Sequence, residues 1–154
     1  MGRRHRLGGV FGIVYIDLDG FKLINDRYGH HVGDVYLQEA ASRMKRQLRP
    51  TEILARVGGD EFAVLVSSAR NRADVQEIAH RLDRCFRRTF TAHGHVLRGS
   101  ASIGIALYPE DATTRDGLLT AADAAMYVEK HIRKSGTKLR AGQTDTERTP
   151  GGRV

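Results

Sequence analysis

The stretch "RVGGDEFAVLV", Arg56–Val66, decides the fold. A glycine pair between two apolar runs marks a tight turn, so Ile53–Val57 and Phe62–Val66 are predicted to be two strands of a hairpin. Asp60 and Glu61 stand on the lip of the second strand, whose remaining residues are apolar. A bare backbone beside two carboxylates suits a metal–nucleotide site: glycine lets a ligand approach closely, and Mg²⁺ prefers carboxylate oxygens and substrate phosphates.

Upstream, "FGIVYID", Phe11–Asp17, reads as a buried strand that emerges into "DLDGFK", with Asp17 and Asp19 at its exit. If this strand pairs with the hairpin, Asp17 and Asp60 converge. Close carboxylates raise each other's pKa unless a cation lies between them. The same pieces also read as a polar turn, with Asp17 and Asp19 as a helix cap and a surface charge.

Gly20–Tyr28 and Gly33–Leu48 follow as helices. Leu37, Ala40, Ala41, Met44 and Leu48 form one face of the second, and Pro50 stops it. In "INDRYGHHVGDVYL", Asn25 and Asp34 offer an amide and a carboxylate that suit the edge of a purine; they also read as a helix C-cap and an N-terminal helix charge. His30 reads as a hydrogen-bonded structural histidine. Asn71 is the expected N-cap of a helix reaching about Arg88, with Val75, Ile78, Ala79, Leu82 and Phe86 inward and Cys85 a buried structural thiol. Arg84, Arg87 and Arg88 read as a solvated face. His95–Leu107 is expected to be one strand ended by Pro109, preceded by a short edge strand turning at His93-Gly94. A last helix spans Asp116 to about Ile132 on Leu118, Leu119, Ala122, Ala125 and Met126. Lys130, Arg133 and Lys134 on or after it could meet phosphates. Helices over one face of a mostly antiparallel sheet give an α+β architecture.

The chain has 154 residues, 40% hydrophobic and 28% charged, which suits one domain. Its net charge of +7 belongs to the ends: residues 1–9 carry three Arg and no acids, and residues 131–154 carry six basic residues against two acids. Positions 10–130 are balanced, so no nucleic-acid partner is expected; such binding would rest on the tails alone. No apolar run is long enough for a transmembrane helix, and a single cysteine fits a reducing cytoplasm. A basic flexible N-terminus is expected over 1–9, the domain over 10–136 and a disordered tail over 137–154.

Together, "DLDGFKLINDRYGHHVGD", "RVGGDEF", "SIGIALYPED" and "ADAAMYVEK" resemble the GGDEF family of diguanylate cyclases, collinearly from about Phe11 to Lys130. The resemblance implies a five-stranded, ferredoxin-like sheet related to the palm of polymerases and nucleotidyl cyclases, flanked by helices. It implies a bacterial second-messenger enzyme that condenses two GTP into cyclic di-GMP with release of pyrophosphate. It assigns Asp17, Asp60, Glu61 and the Leu18 carbonyl to Mg²⁺ (or Mn²⁺), and Asp60 and Glu61 to catalysis. It assigns Asn25 and Asp34 to guanine; Phe21, Lys22, Gly58 and Gly59 to the bound substrate; and Lys130 and Lys134 to the terminal phosphates. The family's Arg-x-x-Asp product-inhibition pair stands here as Arg49 and Glu52, one methylene longer, so weaker feedback is expected. Lys134 replaces the expected phosphate Arg and lacks its bidentate fork. The family's N-terminal turn and helix are not matched, which implies a truncated, weakly active domain with some uncovered apolar sheet. Catalysis implies a homodimer, since each domain carries one GTP, normally brought together by an upstream sensor. The alternative is a degenerate module that binds GTP or cyclic di-GMP without turnover.

Overall fold

A computed structural model describes residues 10–132. The expectations for 1–9, for Arg133 and Lys134, and for the tail lie outside the described residues. The chain runs β1 (Val10–Leu18), α1 (Phe21–Tyr28), α2 (His30–Arg46), β2 (Glu52–Arg56), β3 (Glu61–Ala69), α3 (Arg72–Arg84), β4 (Phe90–Ala92), β5 (His95–Leu97) and β6 (Ala101–Tyr108). A last helix, α4, covers 115–132.

The main sheet is antiparallel, in the order β2-β3-β1-β6, and β4-β5 form a separate two-stranded sheet. The expected five-stranded sheet is therefore four strands plus a hairpin. The long strand expected over His95–Leu107 breaks between Leu97 and Ala101. Ser100 leaves the ladder there: its carbonyl accepts from the Asp19 amide at 2.9 Å, and its hydroxyl donates to the Asp19 carboxylate at 2.9 Å. The turn at His93-Gly94 is present, both residues having positive φ.

β1 is central and apolar almost throughout, so it is covered on both sides. This corrects the expectation that helices lie over one face. Val14, Ile16 and Leu18 meet Phe62, Val64 and Val66 beneath α2 and α3, whose Tyr36, Met44, Val75 and Leu82 complete a large core. Ile13 points the other way and packs with Ala106 against Leu118 and Ala122 of α4. Ile53 of edge strand β2, on that second face, is 58% exposed.

α4 lies unusually close to the sheet. A Cβ built on Gly104 would stand 2.2 Å from the Met126 amide nitrogen and 2.4 Å from the Ala122 carbonyl oxygen. Only a glycine permits this backbone-on-backbone contact. One turn beyond Met126, the helix delivers Lys130 to the sheet.

α3 begins as expected, with the Asn71 side chain accepting from the Asp74 amide. It ends at Arg84 rather than Arg88. The reason is Arg43, buried on α2, whose guanidinium donates to the carbonyls of Cys85, Arg88 and Thr89 at 2.9, 2.8 and 2.6 Å. These carbonyls turn toward a side chain instead of continuing the helical ladder. Arg43 also stacks over Phe90, 3.6 Å from the ring centroid. Cys85 is half-buried, and its thiol donates to the carbonyls of Arg43 and Arg81. Burial pushes that thiol up despite the nearby arginines.

Candidate functional site

β1 and β3 pair so that Asp17 stands directly opposite Glu61, with Asp60 in the adjoining turn. The turn is tied on both sides. The Leu18 amide donates to the Asp60 carbonyl at 3.0 Å, the Val57 amide donates to the Glu61 carbonyl at 2.9 Å, and Arg56 donates to the carbonyls of Gly58 and Gly59 at 3.0 and 2.6 Å. One carboxylate oxygen from each of Asp17, Asp60 and Glu61 lies within 4.8 Å of the other two. The anticipated convergence of Asp17 and Asp60 is thus present. A Cβ on Gly59 would meet nothing within 4 Å, so the turn presents open space beside the acids.

Asp17 is 8% exposed, and its Oδ1 is buried without a hydrogen-bond partner. Its Oδ2 accepts from Lys130 Nζ at 2.6 Å. Burial raises the Asp17 pKa, Lys130 opposes that rise, and the charges of Asp60 and Glu61 add to it. Burial alone would lower the Lys130 pKa, but the hydrogen bond to Asp17 and the surrounding carboxylates raise it. Lys130 read alone was a solvated charge; it is instead paired and half-buried.

Asp19 is neither a cap nor a loose surface charge, because α1 is capped by Gly20 without any side-chain bond. Its carboxylate accepts from Ser100 and Ser102 at 2.9 and 2.8 Å. Tyr15 was not anticipated. Its hydroxyl donates to Glu61 Oε1 at 3.0 Å, and its phenol is pushed up to about 12 by burial, then by the bond to and charge of Glu61. Tyr15 and Asp17 are two apart on one strand, a period-two signal that could have found it.

A hard-oxygen donor set with one orphaned, buried carboxylate oxygen fits a divalent cation. The three acids could hold one.

Asn25 lies against α2: a Cβ on Gly33 would stand 1.7 Å from its Oδ1, and that oxygen is buried without a hydrogen-bond partner. Asn25 is no C-cap, since α1 ends on Gly29. Asp34 is exposed, just beyond Gly33 and past the first turn of α2, so it is not an N-terminal helix charge. Asn25 therefore lies beside Gly33, the residue that precedes Asp34 in the chain. Phe21 packs at the core's edge, its ring stacked on Tyr36 at 6.5 Å, while Lys22 is exposed. His30 was expected to be hydrogen-bonded; it is exposed at the start of α2, with no side-chain hydrogen bond among the described residues.

Arg49 and Glu52 border an open groove of about 470 Å³ that Arg81 also lines. Glu52 is buried, accepts from the Arg49 amide at 3.0 Å and pairs with Arg81 at 3.5 Å. The Arg49 side chain is exposed. No described helix is long and apolar enough to cross a membrane.

The family model described as "Diguanylate cyclase, GGDEF domain" matches residues 1–136, and the chain belongs to that family. It is 46% identical over 126 residues to the bifunctional diguanylate cyclase/cyclic di-GMP phosphodiesterase MucR of Pseudomonas aeruginosa, covering 82% of this chain and 18% of MucR. Among solved structures, the GGDEF domain of P. aeruginosa TpbB (YfiN) superposes with a TM-score of 0.81 at 42% identity, covering 85% of this chain and 81% of that one. The GGDEF domain of Caulobacter crescentus DgcB, solved in complex with c-di-GMP, superposes with a TM-score of 0.74 at 26% identity over 84% of this chain and 77% of that one. The chain thus spans about a fifth of the bifunctional MucR.

Proposed function

We propose that this domain is a diguanylate cyclase: it condenses two GTP into cyclic di-GMP with release of two pyrophosphates, as one of two domains that meet face to face. The observation that carries the reading is the convergence of Asp17, Asp60 and Glu61 on a glycine turn, with one oxygen of Asp17 buried and unsatisfied. Mg²⁺, or Mn²⁺ in its place, would be held by these carboxylates with the Leu18 carbonyl. When bound, it neutralises phosphate charge and eases ionisation of a hydroxyl. Asp60 takes the proton of the attacking 3′-hydroxyl, and Tyr15 holds Glu61 in position. Asn25 and Asp34 read the guanine, and the open space over Gly59 admits the nucleotide beside Gly58, Phe21 and Lys22. Lys130 binds the terminal phosphates once it exchanges Asp17 for them, with Lys134 beyond it. Product binds weakly at Arg49, because Glu52 is already committed to Arg81.

A second reading has its own support. Lys130 already neutralises Asp17 through Oδ2, in competition with a cation. A domain that keeps this pair binds GTP or cyclic di-GMP without turnover.

Incubation with GTP and Mg²⁺ across a wide range of protein concentration separates the two. Cyclic di-GMP forming at a rate that climbs faster than linearly in protein, and abolished by Asp60→Ala, supports the cyclase. GTP binding with no product at any concentration refutes it in favour of the binding module.

A further inference from the structure

Five arginines meet at one cavity of about 360 Å³, and none of them belongs to the carboxylate site. Arg43 and Arg46 come from the last turns of α2, Arg81 and Arg84 from the last turns of α3, and Arg88 from the segment that Arg43 pins against α2. Basic residues near helix C-termini are ordinary, because they offset the partial negative charge there. That accounts for the position of four of the five, and two of these are also committed to backbone carbonyls. Arg43 bonds three carbonyls, and Arg81 bonds the Gln47 carbonyl.

The other three have no such duty. Arg46 touches Glu39 at 3.7 Å and bonds the Ser42 hydroxyl, and Arg84 touches Glu77 at 3.6 Å. Arg88 has no ion pair among the described residues. All three are exposed around the same opening. Including Glu52, which faces Arg81 at 3.5 Å, three carboxylates answer five guanidiniums, leaving two positive charges.

We propose that this cavity binds a small phosphate-bearing anion of the diphosphate class. Guanidinium forks match phosphate oxygens in pairs. The volume falls in the range of small-ligand sites, about 300–1,000 Å³. The charges line a cup; a nucleic acid would need a continuous basic stripe. The inference stands whether or not the domain makes cyclic di-GMP.

The test is calorimetric titration of the full chain with pyrophosphate, and separately with ADP, without divalent cations, so that the carboxylates repel phosphate from their own site. Arg84→Ala and Arg88→Ala should each weaken pyrophosphate about tenfold, the loss of one charge-assisted bond. Both side chains are exposed, so thermal unfolding should be unchanged. Arg49→Ala, in the neighbouring groove, should leave the affinity intact. ADP binding as tightly as pyrophosphate, with the same sensitivity, marks the diphosphate itself as the recognised group. Tighter ADP binding with that sensitivity marks a nucleotide as its source. Absence of pyrophosphate binding at millimolar concentration, indifference to both cavity substitutions, or loss on Arg49→Ala instead would each overturn the proposal.

Discussion

Gly104→Ala tests how the sheet acquires its cation. The new methyl would lie 2.2 Å from the Met126 nitrogen and 2.4 Å from the Ala122 oxygen, both backbone atoms that no rotamer change can move. Ordinary contact begins near 3.4 Å, so α4 must withdraw by roughly 1 Å or the sheet must bend. Overpacking of this kind typically costs about 1–3 kcal/mol, and the backbone character of the clash puts this case near 3. The same withdrawal stretches the 2.6 Å contact between Lys130 and Asp17. Urea unfolding of wild type, Gly104→Ala, Lys130→Met and the double variant forms a cycle. The double variant should be less destabilised than the sum of the singles, by about 1 kcal/mol, because the first substitution already weakens what the second removes. A Gly104→Ala variant within about 0.5 kcal/mol of wild type would refute the close packing of α4. Strict additivity would refute its link to Lys130.

Three further outcomes are expected. Lys130→Met leaves buried Asp17 facing two carboxylates without its cation. It should destabilise the metal-free protein by about 2 kcal/mol, between the values for surface and buried pairs, and millimolar Mg²⁺ should recover part of that loss in a thermal melt. Gly33→Ala displaces the Asn25 amide with little other consequence, since alanine is the better helix former. GTP affinity should fall about tenfold while urea stability changes by no more than about 1 kcal/mol. Arg43→Lys keeps the charge but loses the planar fork that spans three carbonyls, so it should cost about 2–4 kcal/mol by urea unfolding, with no rescue from the retained charge.

The sequence made some features legible and hid others for physical reasons. The β1–β3 pairing followed from two apolar runs meeting at carboxylates, and the α3 cap followed from Asn71. Period alone could not reveal that β1 is buried on both faces, because an unbroken apolar strand carries no alternation. The end of α3 was misplaced because its stop signal is Arg43, some forty residues away. An arginine on a helix reads as solvated until its partners are known. The pairing of Lys130 with Asp17 was hidden for the same reason: it depends on a glycine in β6 that looks like an ordinary weak point in a strand. The burial of the Asn25 amide against Gly33 was not legible, because it depends on how closely two helices approach.

The carboxylates and the lysine that faces them are held with unequal firmness. Asp17 and Glu61 sit on the two inner strands of the sheet, each bonded on both edges, where opening free energies are high. Lys130 reaches its partner on a flexible four-carbon stem that is 30% exposed, and side-chain rotations are far faster than strand opening. Under native conditions the cation should therefore come and go many times for each separation of the acids. The permanent part of the site is its negative charge, and its neutralisation is the part left free to change.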